Sequence, residues 1–151
     1  MTVSASPFDD RVAGAHGGAL VLYDVDCGFC RWCVGLVLAW DRAGRLCAAP
    51  IQGELGDALL AELPERARLR SWHLVDAAGR VWSGGAALAP LGRLLPRGRI
   101  LSAAAGLSPG ATEWAYRLVG EHRGFFSRFV PAASKRRADE RIRLRAAEGR
   151  R

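Results

Sequence analysis

Apolar positions in this chain fall in short runs, each closed by glycine, proline or charge. The first, residues 20–24, mixes β-branched and aromatic members in a stretch too short for a helix, which predicts a buried strand. Residues 28–42 are apolar on nearly every face, with Phe29, Trp32, Val34, Leu36, Val37, Leu38 and Trp40. That pattern predicts a helix held between a sheet and something else. Gly44 supplies a left-handed stop, and residues 45–50 predict a second strand, parallel to the first because a helix joins them.

Residues 52–63 predict a helix closed by Pro64. Two short strands follow, 71–76 and 80–83, around the turn Asp76-Ala77-Ala78-Gly79, whose last residue suits a left-handed position. Residues 86–95 then predict a helix that tolerates Pro90 near its start. Strand, helix, strand, helix, hairpin, helix is the order of an α/β, thioredoxin-like three-layer fold with a central sheet of about four strands. Additional C-terminal helices are expected at 100–105 and 111–123, the second with Trp114, Leu118, Tyr116 and Val119 on its apolar side and Gly124 ending it. Phe125, Phe126, Phe129 and Val130 form an apolar cluster expected to pack on the domain or on a partner. Beyond Pro131, Ser134 is placed to cap a basic helix reaching residue 147. The chain thus divides into a flexible leader (1–18), a domain with its helical extension (19–130) and a basic tail (131–151).

Charge changes this picture little. The formal net charge is +7, but residues 134–151 hold +5 of it, and Lys135 is the only lysine among 22 basic residues. The excess reads as arginine-rich composition confined to the tail before it reads as phosphate recognition, so no specific nucleic-acid partner is expected. Weak contact of the tail with a membrane surface is the alternative use of that charge. The start of the chain carries Asp9 and Asp10 and lacks an apolar stretch of signal-peptide length, and the run 32–40 is about half of what crosses a bilayer. A cytoplasmic protein is expected, without a structural disulfide framework. Four cysteines, three of them within residues 27–33, then point to redox chemistry or metal.

Cys27 and Cys30 stand where the first strand turns into the first helix. Free N–H groups and the positive end of the helix dipole favour a thiolate there, so Cys27 is the candidate nucleophile and Cys30, one turn on, the candidate resolving thiol. Gly28 and Phe29 between them would shape access. Asp24 and Asp26 would raise the Cys27 pKa by repulsion. Asp24 could also take a proton from the resolving thiol, and Asp26 could cap the helix. Cys33 and Cys47 read as core thiols with an auxiliary redox role as the alternative. His73, Trp72 and Trp82 read as structural, and Gly84-Gly85 as a turn, with a backbone approach to a peptide substrate as the other use.

The stretch Tyr23-Asp24-x-Asp26-Cys27-Gly28-Phe29-Cys30-Arg31 resembles the signature of the DCC family of predicted thiol-disulfide oxidoreductases. Later features are similar too: 45–50 followed by Gln52, Val75-Asp76 through Gly79-Arg80-Val81, Gly84 to Ala87, and Tyr116-Arg117-Leu118-Val119 through Arg123. The likeness spans residues 19–129. It implies a thioredoxin-like fold and a dithiol that reduces or exchanges disulfides of a protein or a low-molecular-weight thiol, with an electron donor left unnamed and no cofactor. Thioredoxins carry a cis-proline facing the dithiol, where this chain has Leu69, Arg70 and Ser71, so metal binding is harder to set aside.

Three other readings compete. Asp24-x-Asp26 after a strand is also how haloacid-dehalogenase-like phosphatases present their acids, but no suitable later acidic pair follows. Cys27, Cys30, Cys33 and Cys47 could bind zinc or an iron–sulfur cluster if the second strand brings Cys47 near. A non-catalytic module docking through the Phe cluster and tail would leave the dithiol intact when residues 134–151 are deleted.

Overall fold

The computed structural model describes residues 18–148. All but Gly18 of the expected leader lies outside the described residues. The elements are β1 (Ala19–Tyr23), α1 (Gly28–Trp40), β2 (Leu46–Pro50), α2 (Glu54–Leu59), α3 (Glu65–Arg68), β3 (His73–Val75) and β4 (Val81–Ser83). A 3₁₀ turn (Gly84–Ala87) then leads into α4 (Leu88–Leu94), α5 (Arg99–Leu107), α6 (Pro109–Glu121), α7 (Arg123–Phe129) and α8 (Ala132–Glu148).

The strands form one mixed sheet in the order β2-β1-β3-β4. β1 runs parallel to β2 and antiparallel to β3, with Val21 opposite Ala48 on one side and Leu74 on the other. Alternation along β1 sorts the core into two layers. Ala19, Val21 and Tyr23 face Val34 and Leu38 of α1 together with Leu91 of α4, while Leu20 and Leu22 meet Ile51, Leu60 and Val75 on the other face. This is the thioredoxin-like arrangement expected from the element order.

The apolar circumference of α1 is explained by α8. Ala138 and Ile142 of α8 are 1% and 7% exposed, and Ile142 belongs to the same core layer as Val34 and Leu38. The two helices cross at Gly35, where an added Cβ would collide with the Cβ and backbone of Ala138. Polar contacts fasten the ends. Lys135 Nζ donates to the carbonyl and hydroxyl of Ser127, both at 2.9 Å. At the far end Arg145 Nη2 donates to the Asp41 carbonyl at 2.8 Å, and the fully buried Asp41 carboxylate accepts from Leu46 N at 2.8 Å. The basic helix is therefore part of the core layer, and the expectation that residues 134–151 could be removed without touching the dithiol helix does not hold.

Two boundaries differ from expectation for physical reasons. The helix expected over 52–63 stops at Leu59, because Leu60 turns into the second core layer and Arg68 takes over the carbonyls of Leu63 and Ala61, at 2.9 and 3.3 Å. Gly124 does not end the helix before it. α6 closes at His122, whose ring hydrogen-bonds the Leu118 carbonyl at 2.8 Å, and Gly124 lies inside α7. Gly44 and Gly79 do adopt the left-handed backbone expected of them, with φ of 67° and 77°.

Gly35→Ala is expected to lower unfolding stability by about 1–3 kcal/mol, because a methyl has no room at the helix crossing. Gly106→Ala, where a Cβ meets nothing within 4 Å, is expected to cost nothing or to add up to about 1 kcal/mol. Urea unfolding of the two variants reads the difference.

Candidate functional site

The turn after β1 is built from its own polar groups. The Asp24 carbonyl accepts from Cys27 N at 3.3 Å and the Asp24 carboxylate from Asp26 N at 3.0 Å, which folds the chain back into α1. Cys27 is the N-cap, extended at φ −91° and ψ 104°. Its sulfur accepts the Cys30 N–H at 3.2 Å. A first-turn amide that would otherwise lack a partner is thus directed at the sulfur. The capping role considered for Asp26 belongs to Cys27 itself, and the Asp26 side chain is left exposed.

This geometry separates the two thiols. The Cys27 pKa falls to about 6, first because the Cys30 thiol hydrogen-bonds its sulfur, against burial, and then through the Cys30 N–H and the Arg123 guanidinium. Asp24 acts weakly in the other direction. Cys30 is pushed well above the ordinary thiol range, by that same hydrogen bond and by burial. Cys33, half-buried one turn further along, is raised to about 11 by desolvation and by the charge of Cys27. Cys27 is therefore the thiol poised to ionise at neutral pH.

Three residues outside the dithiol hold this corner together. Gln52, just past β2, donates to Asp24 Oδ1 at 2.6 Å and accepts from Val25 N at 3.2 Å, tying the second strand to the turn. Arg123, first residue of α7, stands 3.9 Å from Asp24 Oδ2. Arg31 donates to the Val25 carbonyl at 3.0 Å and pairs with Asp139 of α8 at 3.0 Å, although its Nε–H is not aimed at that carboxylate. Gln52 and Arg123 stood among the family-like features of the sequence, but nothing local gave either a role. Phe29 stacks on Phe126 of α7 with ring centroids 6.0 Å apart, so the Phe cluster packs back on the dithiol loop through one ring. Phe125 and Phe129 remain 57% and 70% exposed.

Beside the dithiol lies a cavity of about 240 Å³, walled by β1, α1, α4, α6 and the segment 69–72. Cys30, Cys33 and Asp24 line it, and Cys27 does not. α6 forms its roof. The Tyr116 hydroxyl accepts the Trp72 N–H at 3.3 Å, and burial raises the Tyr116 pKa to about 12, so the phenol stays neutral.

A profile describing the DCC1-like thiol-disulfide oxidoreductases matches residues 21–129. The chain belongs to this family. Comparison with curated proteins and with solved structures gives no match. The family carries thiol–disulfide redox function in its description, and the Cys27–Cys30 pair needed for it is present.

The remaining candidates of this DCC1-like chain fall away from the dithiol. Cys47 packs in the second core layer with Leu20, Leu22 and Val75, across the sheet from the layer that receives α1. Among the described residues no three His, Cys, Asp or Glu side chains gather as a metal site, so neither the four-cysteine reading nor the phosphatase reading has its donor set. His73 is 1% exposed and satisfied on both ring nitrogens, by Ser83 Oγ at 2.7 Å and the Arg68 carbonyl at 2.9 Å. Burial lowers its pKa, so it stays a neutral strand residue. Trp82 and Trp72 pack at the edge of the first core layer, and Trp72 also lines the cavity. The close approach at Gly84-Gly85 is made by α6. Gly85 N donates to Glu113 at 2.9 Å, and Gly84, at φ 58°, faces the Tyr116 ring. No described helix is long and apolar enough to cross a membrane.

Alkylation of Cys27 by iodoacetamide is expected to follow a single ionisation near pH 6, with the reactive thiolate present above it and lost below. Cys30→Ala removes the main stabilising hydrogen bond and should move the midpoint up toward the ordinary thiol value of about 8.5. Arg123→Gln should move it up by less. A midpoint that stays at 6 in Cys30→Ala would contradict this account of the shift.

Proposed function

We propose that this protein is a dithiol oxidoreductase in which Cys27 attacks and Cys30 resolves. The Cys27 thiolate forms a bond to one sulfur of a substrate disulfide, and the other sulfur leaves as a thiolate that takes up a proton. Cys30 then loses its proton and attacks Cys27 Sγ. The mixed disulfide breaks, the second substrate thiol departs, and a Cys27–Cys30 disulfide remains. Two electrons have passed to the substrate, and an external dithiol or thiol reductant returns them. The observation that carries this reading is the hydrogen bond that the Cys30 amide, in the first turn of α1, donates to the Cys27 sulfur at 3.2 Å.

Asp24 is the group that adjusts protonation. It lines the same cavity as Cys30 and its side chain is only 14% exposed, whereas the Asp26 side chain is exposed and accepts from Gln52 at 3.5 Å. It receives the Cys30 proton as that thiol attacks. The Gly28-Phe29 pair limits access, since Phe29 is covered by Phe126 and Gly28 lies near Lys135 and Ser127. The substrate class is a disulfide of a protein or of a low-molecular-weight thiol, and a reducing compartment such as the cytoplasm suits the thiol form.

Cys27→Ser is expected to bring disulfide reduction down to the uncatalysed rate, and Cys30→Ser to accumulate a covalent mixed disulfide through Cys27, detected as a mass increase that dithiothreitol removes. Asp24→Asn should leave formation of that adduct in place and slow its resolution, measured by rapid-quench mass spectrometry. Turnover by Cys27→Ser at the parental rate would sink the mechanism.

A further inference from the structure

The cavity beside the dithiol offers about 240 Å³ of empty space. Most of its wall is carbon, from Val21, Val34, Val37, Leu91 and Val119, yet Cys30 stands in that wall. Whatever fills it is thus held against Cys30, the neighbour of the attacking sulfur. An engineered apolar cavity of about 150 Å³ already admits benzene, so about 240 Å³ takes a phenyl or branched aliphatic group with room for its attachment. Polarity is confined to a few groups in the wall. Two guanidiniums, Arg70 and Arg123, line the site against one carboxylate, Asp24, which leaves an excess of positive charge. Arg123 is already close to Asp24, and Arg70 is exposed.

We propose that the cavity is a specificity site for disulfides in which a compact apolar group lies next to the reacting cysteine and a negative charge lies just beyond it. The apolar group enters between α1 and α6, and the anionic group meets Arg70. The Tyr116 hydroxyl accepts the Trp72 N–H at the roof of the cavity, and its own O–H remains a neutral donor that a polar atom of the occupant's backbone can meet. A single methylene in a hydrophobic pocket is worth roughly ten- to two-hundredfold in discrimination, so a phenyl against a hydroxymethyl group is worth at least the lower end of that range. The inference rests on the dithiol reading above.

The test uses the disulfide-linked dimers of N-acetyl-Phe-Cys and N-acetyl-Ser-Cys, both as free acids, and the amide of the first. The departing thiols are chemically alike, so differences in kcat/KM report the cavity. The full-length protein, recycled with dithiothreitol, is expected to favour the Phe acid over the Ser acid by about tenfold or more. Val119→Phe, at a partly exposed wall position, should bring that ratio below two, and Arg70→Gln should erase the preference for acid over amide. Binding is read separately with the S-methylated, redox-inert N-acetyl-Phe-Cys. It should shift Trp72 fluorescence saturably in wild type but not in Val119→Phe, with Trp72→Phe identifying the reporter. If both disulfides are reduced equally and the inert peptide leaves Trp72 unchanged, the cavity proposal is overturned while the redox reading stands. If neither disulfide is reduced but the inert peptide still binds and Val119→Phe abolishes its binding, the cavity proposal stands and the redox reading fails.

Discussion

A helix must find acceptors for the amides of its first turn, and in this protein the acceptor at the start of α1 is a sulfur. Serine or aspartate at an N-cap would satisfy the same N–H. Cysteine satisfies it with an atom that can become a nucleophile, and the hydrogen bond that completes the helix is also one that favours the thiolate. The turn that delivers Cys27 is held by Asp24, and Asp24 is held by Gln52, just past the adjacent strand, and faced by Arg123 from α7. Local helix capping, sheet pairing and the ionisation of one thiol are thus a single coupled arrangement.

What keeps α1 in place is more distant in sequence. Its outer face is closed by α8, a helix beyond the family match, through a crossing that needs Gly35 and Ala138 to be small. The Arg31–Asp139 pair is partly solvated and contributes little by itself. Asp41 is different, because it is fully buried and its carboxylate and carbonyl hold the connection from α1 to β2 and the end of α8 together. Removing Arg145 would leave Asp41 with less compensation for its burial, which is where such networks are costly. α6 performs the matching service on the cavity side. Its approach to Gly84-Gly85 lets Tyr116 reach the Trp72 amide and roof the cavity.

The features legible in the sequence were those decided within a few residues. The strand–turn–helix of residues 19–40, the parallel second strand and the hairpin at Asp76 follow from periodicity and turn chemistry, and Gly44 and Gly79 follow from their need for a left-handed backbone. The dithiol could be found from spacing alone. Features settled by tertiary contact were not legible. Gly35 inside an apolar helix looks like a weak position until Ala138 is seen against it, and a stretch rich in arginine looks like a tail because Ala138 and Ile142 supply few apolar letters. Gly84-Gly85 suggested a turn or a substrate contact, and the approaching group is a helix some thirty residues further on, at Glu113. The break after Leu59 depends on the Arg68 side chain returning to the freed carbonyls, a contact no local propensity encodes.

The placement of the three clustered thiols also orders the proposed exchange in time. Cys27 lies outside the cavity, while Cys30 and Cys33 line it. As long as Cys27 is an anion, Cys30 donates a hydrogen bond to it and is held protonated by that bond, by burial and by the neighbouring charge. In the proposed exchange, once Cys27 is joined to a substrate sulfur, the anion is gone, and with it the hydrogen bond and the charge of Cys27 that hold the Cys30 proton. Burial and the charge of Asp24 remain, and in the proposed exchange Asp24, which lines the same cavity, takes the proton as it leaves. Cys33 feels the Cys27 charge too, but desolvation comes first among the causes of its shift and does not depend on the state of Cys27. In the proposed exchange, attack by Cys27 thus releases the resolving thiol next to it and leaves the third one quiescent.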